Sequence, residues 1–344
     1  MSSDRSLADA LALAREQSRT TPGRYVALGV ATRSTVLGAG AFLDGEALAD
    51  VPRSSIASLT KPVTAAAVMQ LAESGAVDLD APIRSVIGEL DAEPTLDAAR
   101  ITARHILSHT SGLHDVSDAE LRDLPPTPGA MLAAVCRQRL RFTPGTAFQY
   151  ASEPWFLLSA LIERASGRRY PVFLSERLFE PLGMTATSFD PTDAHHRSLP
   201  PQGSFALPGL SSQEIAARLR SLEMPGGGLW STPHDLLRFA RAMLRDGELD
   251  GARVLEPESL AAMTELHTDG LTDAGSGAPV AYGLGWGLRP GFGASDRAFA
   301  HAGATGCLLV VDPVRDLAVV YLRNWWGAPM DDAVDAMEAI FSAL

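Results

Sequence analysis

Lysine is almost absent from this chain. Lys61 is its only lysine, so the remaining 28 of the 29 basic side chains are arginine. A guanidinium keeps its proton in proteins, whereas a desolvated amine can lose it. The chain therefore does not use lysine for ordinary surface charge, and we interpret Lys61 as a side chain with a chemical role.

Positive charge and long apolar runs are also scarce. The net charge is −12, and no basic run offsets it, which argues against nucleic acid or an anionic membrane as a partner bound through bulk charge. No stretch approaches the roughly 20 apolar residues of a membrane span. The first residues are typical of an amphipathic helix rather than a signal peptide, so we expect a cytoplasmic protein.

Cysteine is too rare to provide a disulfide framework. The chain contains only Cys136 and Cys307, and we interpret both as buried thiols. Nothing in the sequence indicates a cofactor, and we expect none.

Apolar periodicity predicts strands near both ends and helices between them. Strand patterns occupy residues 25–31, 35–42, 282–288, 298–301, 306–311 and 317–322. Helical patterns occupy residues 6–18, 101–109, 129–140, 155–166, 171–179, 233–245 and 331–344, and a further helix begins near Ser58 and ends near Gly75. Residues 190–210 are rich in proline, glycine and serine and predict a loop.

This order predicts an α/β protein of the α+β type. We expect an antiparallel sheet flanked by helices and built from both termini, with an all-helical insertion between its halves. The sheet subdomain would comprise residues 1–75 and 225–344, and the mainly helical subdomain residues 76–224. The active site would lie between them.

Ser58 and Lys61 form a Ser-x-x-Lys pair at the predicted start of a helix. A spacing of three places both side chains on one helical face. The free N–H groups and the dipole of a helix start can stabilise an oxyanion. The spacing alone is a weak signal, but the single lysine leaves only one opportunity for it.

Two further side chains fit a serine nucleophile. Tyr150 carries a phenol that can relay a proton when a lysine lies nearby. His301 precedes Gly303 on a predicted strand, and the glycine allows a close approach of backbone to a bound acyl group. Taken singly, the tyrosine is more often a packing residue and the His-x-Gly triplet an ordinary strand end.

Together these motifs resemble the serine β-lactamase and penicillin-binding-protein superfamily, in its branch of class C β-lactamases, DD-peptidases and esterases. That branch carries Ser-x-x-Lys, then Tyr-x-Asn, then Lys/His-x-Gly. Flanking stretches are also similar, and the resemblance covers roughly residues 25–330. It implies a β-lactamase/transpeptidase-like fold.

The resemblance also implies roles for individual residues. Ser58 would be the acylated nucleophile, with Lys61 and Tyr150 sharing the acid and base work in an order that the sequence leaves open. The backbone N–H groups of Ser58 and Ala304 would form the oxyanion hole. His301 would help to hold Tyr150 or a substrate carboxylate.

This sequence departs from the family pattern at two positions. Ser152 replaces the asparagine of Tyr-x-Asn, so the paired donor and acceptor of an amide are missing. His301 replaces a lysine, and a histidine is a poorer fixed cation at neutral pH. Both departures favour esters or amides other than classical β-lactams.

The remaining candidates carry less weight. We expect Ser152, Gly303, Trp230 and Trp325 to contact substrate, although Trp325 could equally belong to the core. His105 and His109 have the i, i+4 spacing of a metal pair, but no further ligand accompanies them and we expect no metal. His195 and His196 lie in the polar loop. Gly226-Gly227-Gly228 lacks the Lys-Ser/Thr of a phosphate loop.

We therefore expect a serine hydrolase that forms an acyl-enzyme on a small-molecule or peptide acyl substrate, and most nearly a carboxylesterase. The alternatives are an acyltransferase or peptide cyclase/transpeptidase with the same acyl-enzyme, a DD-peptidase or weak β-lactamase, and a catalytically silent ligand-binding module. The oligomeric state is left open.

Overall fold

The computed structural model describes residues 2–92, 100–190 and 212–344. Its main sheet has seven strands in the order β3-β2-β1-β11-β10-β9-β8, and neighbouring strands pair antiparallel. These strands are β1 (Tyr25–Ala31), β2 (Val36–Leu43), β3 (Glu46–Ala47), β8 (Gly287–Leu288), β9 (Phe299–Gly303), β10 (Cys307–Asp312) and β11 (Leu317–Arg323). The first and last parts of the chain therefore meet in one sheet, which confirms the predicted fold class.

Short two-stranded ribbons lie outside this sheet. One pairs β4 (Ser54–Ser55) with β5 (Trp230–Ser231), and another pairs β6 (Glu248–Leu249) with β7 (Ala252–Arg253). The first ribbon matters for function, because β4 leads directly into the turn that carries Ser58.

Helices cover both faces of the sheet. They are α1 (Ser2–Gln17), α2 (Thr60–Glu73), α3 (Ala103–Leu107), α4 (Asp118–Asp123), α5 (Pro128–Cys136), α6 (Phe156–Ser166), α7 (Tyr170–Leu174), α8 (Glu180–Leu182), α9 (Ser212–Leu222), α10 (Pro233–Leu244), α11 (Pro257–Met263) and α12 (Asp331–Ala343). A π-helical turn, Ser175–Phe179, connects α7 to α8. Among the described residues, no helix is both long and apolar enough to cross a membrane.

Alternation along the central strands separates two cores. On β1, Val26, Leu28 and Val30 pack with α1 and α12. Ala27 and Ala31 face the larger core, which contains the apolar residues of α2, α6 and α10. Both faces of β1 are buried along its whole length, as expected for an inner strand covered by helices.

One predicted strand is wrong. Residues 282–288 alternate glycine with larger residues, but only Gly287 and Leu288 are strand. Tyr282 and Gly287 instead face each other across a tight turn, closed by the Gly283 N–H donating to Trp286 O at 2.8 Å. Gly285 lies in that turn with φ +79, a conformation that glycine adopts without steric cost. The alternating glycines therefore belong to a tight turn, although their spacing resembles the period-two pattern of a strand.

Most other element predictions agree in position with the structure. The helix predicted over residues 129–140 ends earlier, at Cys136. The loop predicted over 190–210, including His195 and His196, falls almost wholly outside the described residues. The division into a sheet subdomain and a helical subdomain stays a prediction.

Candidate active site

Ser58 lies in a single 3₁₀ turn, Ala57–Leu59, that runs straight into α2. Ala57 has a positive φ of +44, a conformation that residues other than glycine rarely adopt. Thr60 holds the turn in place, since its Oγ1 donates to Ala57 O at 2.7 Å and accepts from the Leu229 N–H at 3.1 Å. Ser58 therefore lies in a strained turn that hydrogen bonds hold in place, and such turns are common at functional sites.

Lys61 lies one turn later on the same face and is completely buried. Its Nζ is 3.3 Å from Ser58 Oγ, 3.0 Å from Ser152 Oγ and 2.7 Å from Gly226 O. The Ser-x-x-Lys spacing thus produces the predicted contact between the two side chains. Gly226, from the glycine stretch that does not resemble a phosphate loop, supplies a backbone acceptor to the amine.

Burial lowers the pKa of Lys61 from 10.5 to about 7. The negative charges of Asp115 and Glu153 act in the opposite direction, but the desolvation is larger. A substantial fraction of the amine is therefore neutral at physiological pH. A neutral amine beside a serine hydroxyl can accept its proton, which arginine could not do.

Tyr150 lies beside both Ser58 and Lys61. Lys61 Nζ lies 4.7 Å from the centroid of its ring, and His109 packs against that ring at 4.4 Å. Tyr150 lines the cavity, and 39% of the residue is exposed. The surrounding protein still desolvates its phenol, and this burial raises the pKa above the usual value of 10. Hydrogen bonds with Ser58 and Ser152 lower the same pKa by a smaller amount. The phenol is therefore protonated at neutral pH and can donate a proton.

His301 on β9 is neutral and fully engaged within the protein. Its Nδ1 donates to Ala302 O at 2.7 Å, and its Nε2 accepts from the Tyr282 hydroxyl at 2.9 Å. Burial, reinforced by the Lys61 charge, lowers its pKa to about 3. Its ring centroid lies 6.2 Å from that of Tyr150. Both ring nitrogens of His301 therefore already have partners within the protein, and its expected role in holding Tyr150 or a substrate carboxylate stays a prediction.

An acid pair supports the loop that carries Tyr150. Asp115 Oδ1 accepts the backbone N–H of Ser152 at 2.5 Å and that of Glu153 at 3.2 Å. Burial raises the pKa of Glu153 well above its usual range, and hydrogen bonding to Asp115 adds to the effect. A hydrogen bond therefore joins the side chains of Glu153 and Asp115. Asp115 and Glu153 are far apart in the chain, so no local sequence pattern indicates that they form a pair.

A cavity of about 930 Å³ opens in front of Ser58. Its wall includes Tyr150, Ser152, His301, Gly303 and Ala304. The chain segments that carry the predicted nucleophile, phenol, strand triplet and oxyanion-hole residue therefore converge on one space. The N–H of Ser58 lies in the first turn of a helical run, where such groups lack an intrahelical acceptor.

Tryptophan at the cavity wall differs from the prediction. Trp230 is 1% exposed in β5 and, like Trp325, is not part of the wall. Trp325 instead lies under the guanidinium of Arg24, at 5.9 Å from ring centroid to Cζ. The neighbouring residue, Trp326, faces the cavity. We therefore replace Trp230 and Trp325 by Trp326 as the tryptophan that a substrate would meet.

The two histidines considered as a metal pair have separate surroundings. His105 Nδ1 lies 3.3 Å from the N–H of Thr102 and takes part in capping α3. His109 Nδ1 accepts the Ala151 N–H at 3.3 Å, behind Tyr150. Within residues 2–92, 100–190 and 212–344, no cluster of three or more His, Cys, Asp or Glu side chains could hold a metal ion.

Gly303 is required where β9 approaches the nucleophile turn. A Cβ at this position would lie 2.4 Å from Cys307 Sγ, 2.7 Å from Ile56 O and 3.2 Å from Ala57 Cβ. We expect Gly303→Ala to lower the free energy of unfolding by about 1–3 kcal/mol through overpacking, and to reduce activity more than tenfold by displacing the Ser58 turn. Thermal melts and ester assays measure both effects.

Gly129→Ala in α5 is the matched control, since nothing lies within 4 Å of its Cβ position. Alanine favours a helix over glycine, so this variant should melt at the same or a higher temperature with unchanged activity. Equal behaviour of the two variants would contradict the close approach at Gly303.

Comparison with known proteins agrees with this geometry. The family model described as Beta-lactamase matches residues 12–343. Protein Rv1367c of Mycobacterium tuberculosis strain H37Rv is 35% identical over 329 residues, which cover 83% of this chain and 80% of that protein.

Two solved structures share the fold over almost the whole chain. A family VIII carboxylesterase is 21% identical, with a TM-score of 0.80 over 99% of this chain and 97% of its own. EstCE1, described as a hydrolase with promiscuous acyltransferase activity, is 20% identical, with a TM-score of 0.76 over 98% of this chain and 99% of its own. At these identities the similarity concerns the fold.

Proposed function

The chain belongs to the β-lactamase family of serine hydrolases, and we propose that within this family it is a carboxylesterase-like enzyme that works through an acyl-enzyme on Ser58. The names of two structural neighbours, a carboxylesterase and a hydrolase with acyltransferase activity, support this choice.

The different environments of Lys61 and Tyr150 support separate roles in proton transfer. Neutral Lys61 accepts the Ser58 proton while Oγ bonds to the carbonyl carbon of the ester, and the resulting oxyanion is held by the N–H groups of Ser58 and Ala304. Tyr150 protonates the departing alkoxide and recovers a proton from the Lys61 ammonium. Two groups whose pKa values are pushed apart in this way can act as base and acid at the same pH.

Deacylation reverses these roles. Water attacks the acyl carbon, gives up one proton to the basic side chains and expels Ser58 Oγ, which is reprotonated. The products are a carboxylic acid and the free serine. The net reaction consumes one water for each ester bond, and every proton is carried by Lys61 or Tyr150.

The observation that carries the proposal is the lack of a cation for a substrate carboxylate. His301 is neutral with both nitrogens occupied. No arginine or lysine is among the described residues of the cavity wall. Penicillins, cephalosporins and peptides ending in D-alanine all present a carboxylate near the scissile bond, and a buried carboxylate without a partner is costly. Uncharged esters avoid this cost.

We therefore expect uncharged esters to be the better substrates. The kcat/KM for p-nitrophenyl butyrate should exceed that for the anionic cephalosporin nitrocefin by at least about a hundredfold, or about 2.7 kcal/mol. Parallel colorimetric assays measure both rates, with Ser58→Ala as the blank. Comparable turnover of nitrocefin would show that the site accommodates a carboxylate and would refute the esterase assignment.

Acyl transfer is the second candidate, and the apolar wall of the cavity favours it. Val116, Leu121, Met224 and Met330 all face the cavity. A wall of this kind would hold an alcohol or amine acceptor while disfavouring water. Assays with added alcohol distinguish the two activities, since transfer yields a new ester in place of the acid. A silent binding module would explain neither the Lys61 contact to Ser58 nor the strained Ala57.

A further inference from the structure

The turn that carries Ala304 lies against the segment that leads into Ser58. Residues 304–306 connect β9 to β10, and β4 ends at Ser55, three residues before Ser58. The two segments come from opposite ends of the chain, so only tertiary contacts can hold them in register. These contacts decide where the N–H of Ala304 lies relative to the nucleophile.

The backbone N–H groups of Ser58 and Ala304 are available to a ligand. Both residues line the cavity. In the described part of the chain, neither N–H donates to another backbone group. Main-chain donors are normally paired, so two unpaired ones at a cavity wall suit an acceptor that arrives with the substrate. Two donors can hold a single oxyanion only when the distance between them is fixed.

Thr305 forms one bridge between the two segments. Its side chain is completely buried, and its Oγ1 donates to Ser55 O at 3.0 Å. The same Oγ1 lies 3.3 Å from Cys307 Sγ, but a hydroxyl has one proton and sulfur is the weaker acceptor. The hydroxyl therefore joins the residue after Ala304 to the strand that leads to Ser58.

Cys307 forms a second bridge, to the next residue of the same segment. It is also completely buried, and its Sγ donates to Ile56 O at 3.2 Å. Burial raises the pKa of this thiol to about 12, so the thiol keeps its proton and remains a donor. Side chains next to the Ala304 turn thus hold two consecutive carbonyl groups, immediately before the strained Ala57.

We propose that Thr305 and Cys307 are positioning residues for the acylation step, because their two bridges fix the Ala304 N–H beside the Ser58 turn so that both N–H groups reach one oxyanion. Neither side chain meets the substrate, since both are buried and lie outside the cavity wall. The inference rests on the proposed esterase function and adds the residues that keep its oxyanion hole in shape.

A purely structural role for these bridges has different consequences from a positioning role. Loss of a structural bond lowers stability and the number of folded molecules, but each folded site keeps its chemistry. Loss of a positioning bond changes the chemistry of every folded site. The rate per folded site, the KM and the affinity for a transition-state analogue therefore separate the two roles.

Thr305→Val keeps the shape of the side chain and removes its hydroxyl. Acylation and deacylation both place an oxyanion in the hole, so both steps should become slower. We expect kcat for p-nitrophenyl butyrate to fall at least about tenfold while KM changes less than about twofold, because the hole acts on the transition state. Thr305→Ser retains a hydroxyl and should keep kcat within about threefold of the native value.

Thr187→Val is the matched control. Thr187 is also buried, and its Oγ1 donates to Asp235 Oδ2 at 2.9 Å, outside the cavity wall. This variant should also melt at a lower temperature, but its kcat per folded site should stay at the native value. Cys307→Ala removes the second bridge and should lower kcat at least about threefold, which keeps the proposal testable when Thr305→Val does not fold.

Binding of n-butylboronic acid separates this inference from the esterase proposal. Ser58 Oγ adds to the trigonal boron and passes its proton to Lys61, and a boron-bound oxygen of the tetrahedral adduct takes the place of the oxyanion. Calorimetry should show an affinity at least about tenfold lower in Thr305→Val than in Thr187→Val or the native protein, and no binding to Ser58→Ala. This result supports the inference even when the native protein hydrolyses no ester, which would refute only the esterase function.

Two outcomes would overturn the positioning role. Ester hydrolysis with equal kcat and equal boronic acid affinity in the native protein, Thr305→Val and Cys307→Ala would refute it and leave the esterase function standing. A native protein that binds no boronic acid at Ser58 would also refute it, because the oxyanion hole that the two bridges are proposed to hold would be absent.

Discussion

Replacing Lys61 with methionine is expected to lower kcat/KM for uncharged esters by at least about a thousandfold. Methionine is similarly long and unbranched, so it fills the same buried channel without the amine. The variant removes the group that accepts the Ser58 proton, and positioned bases contribute about 10²–10⁴-fold. Arginine is a poorer test, because the Lys61 Nζ is enclosed by Ser58, Ser152 and Gly226 within 3.3 Å.

The same substitution should leave the protein as stable or make it more stable below neutral pH. Folding lowers the pKa of Lys61 from 10.5 to about 7. Between these values the unfolded chain holds a proton that the folded protein has released. The free energy of unfolding contributed by Lys61 therefore rises with pH across this window, by about 1.4 kcal/mol per unit, and is lowest below about pH 7. Lys61→Met should remove that slope.

Gln70→Met, on the same helix, is the control, because it should lower stability while leaving activity unchanged. Gln70 Nε2 donates to Arg177 O at 3.0 Å and Val254 O at 2.7 Å, away from the nucleophile. Losing these bonds should lower the free energy of unfolding by about 1–3 kcal/mol while the folded fraction keeps its ester turnover. Ester turnover near the native rate in Lys61→Met would refute the role of the amine.

Tyr150→Phe is expected to lower kcat at least about a hundredfold for esters with poor leaving groups. The substitution removes only the hydroxyl, which in the native protein bonds to Ser58 and Ser152. An ethoxide leaving group needs a proton as it departs, whereas p-nitrophenolate departs without one. The loss should therefore be much larger for an ethyl ester than for the p-nitrophenyl ester of the same acid, and this difference identifies proton donation.

Tyr170→Phe is the matched control for a lost phenol. The Tyr170 hydroxyl is buried and lies 2.6 Å from Thr64 Oγ1 in the core. Removing it should cost about 1 kcal/mol of stability without any dependence of activity on the leaving group. A uniform loss across leaving groups in Tyr150→Phe would instead indicate a positioning role for the phenol.

The sequence predicted the nucleophile region well because its determinants are local. The spacing of Ser58 and Lys61 determines their contact once a helix begins there, and the single lysine allows only this one Ser-x-x-Lys match. Placing Tyr150 and His301 beside them depended on a family resemblance, since no local rule brings residues so distant in the chain into one cavity.

The charge states could not be predicted in the same way. His301 was expected to serve as a partner for Tyr150 or a carboxylate, yet its role depends on burial and on Tyr282, which lies in a turn that the sequence pattern presented as a strand. His109 was considered only as half of a metal pair for which no metal was expected, and its position behind Tyr150 follows only from the fold. The acid pair of Asp115 and Glu153 likewise depends on tertiary contacts.

The wall of the cavity was the least predictable part. Trp325 and Trp326 are adjacent and chemically identical, so only the backbone path after β11 decides which one faces the substrate. Trp230 follows the glycine stretch that contacts Lys61, but its own side chain packs into the interior. Substrate recognition is therefore the feature for which the structure adds most to the sequence.

Labelling with a fluorophosphonate tests the central claim, that Ser58 is an activated nucleophile, most directly. Intact mass should show one adduct per chain on the native protein, and peptide mapping should place it on Ser58. Ser58→Ala should remain unlabelled, and Lys61→Met should react at least about a hundredfold more slowly. A folded native protein that forms no adduct, or an adduct that persists in Ser58→Ala, would contradict the account.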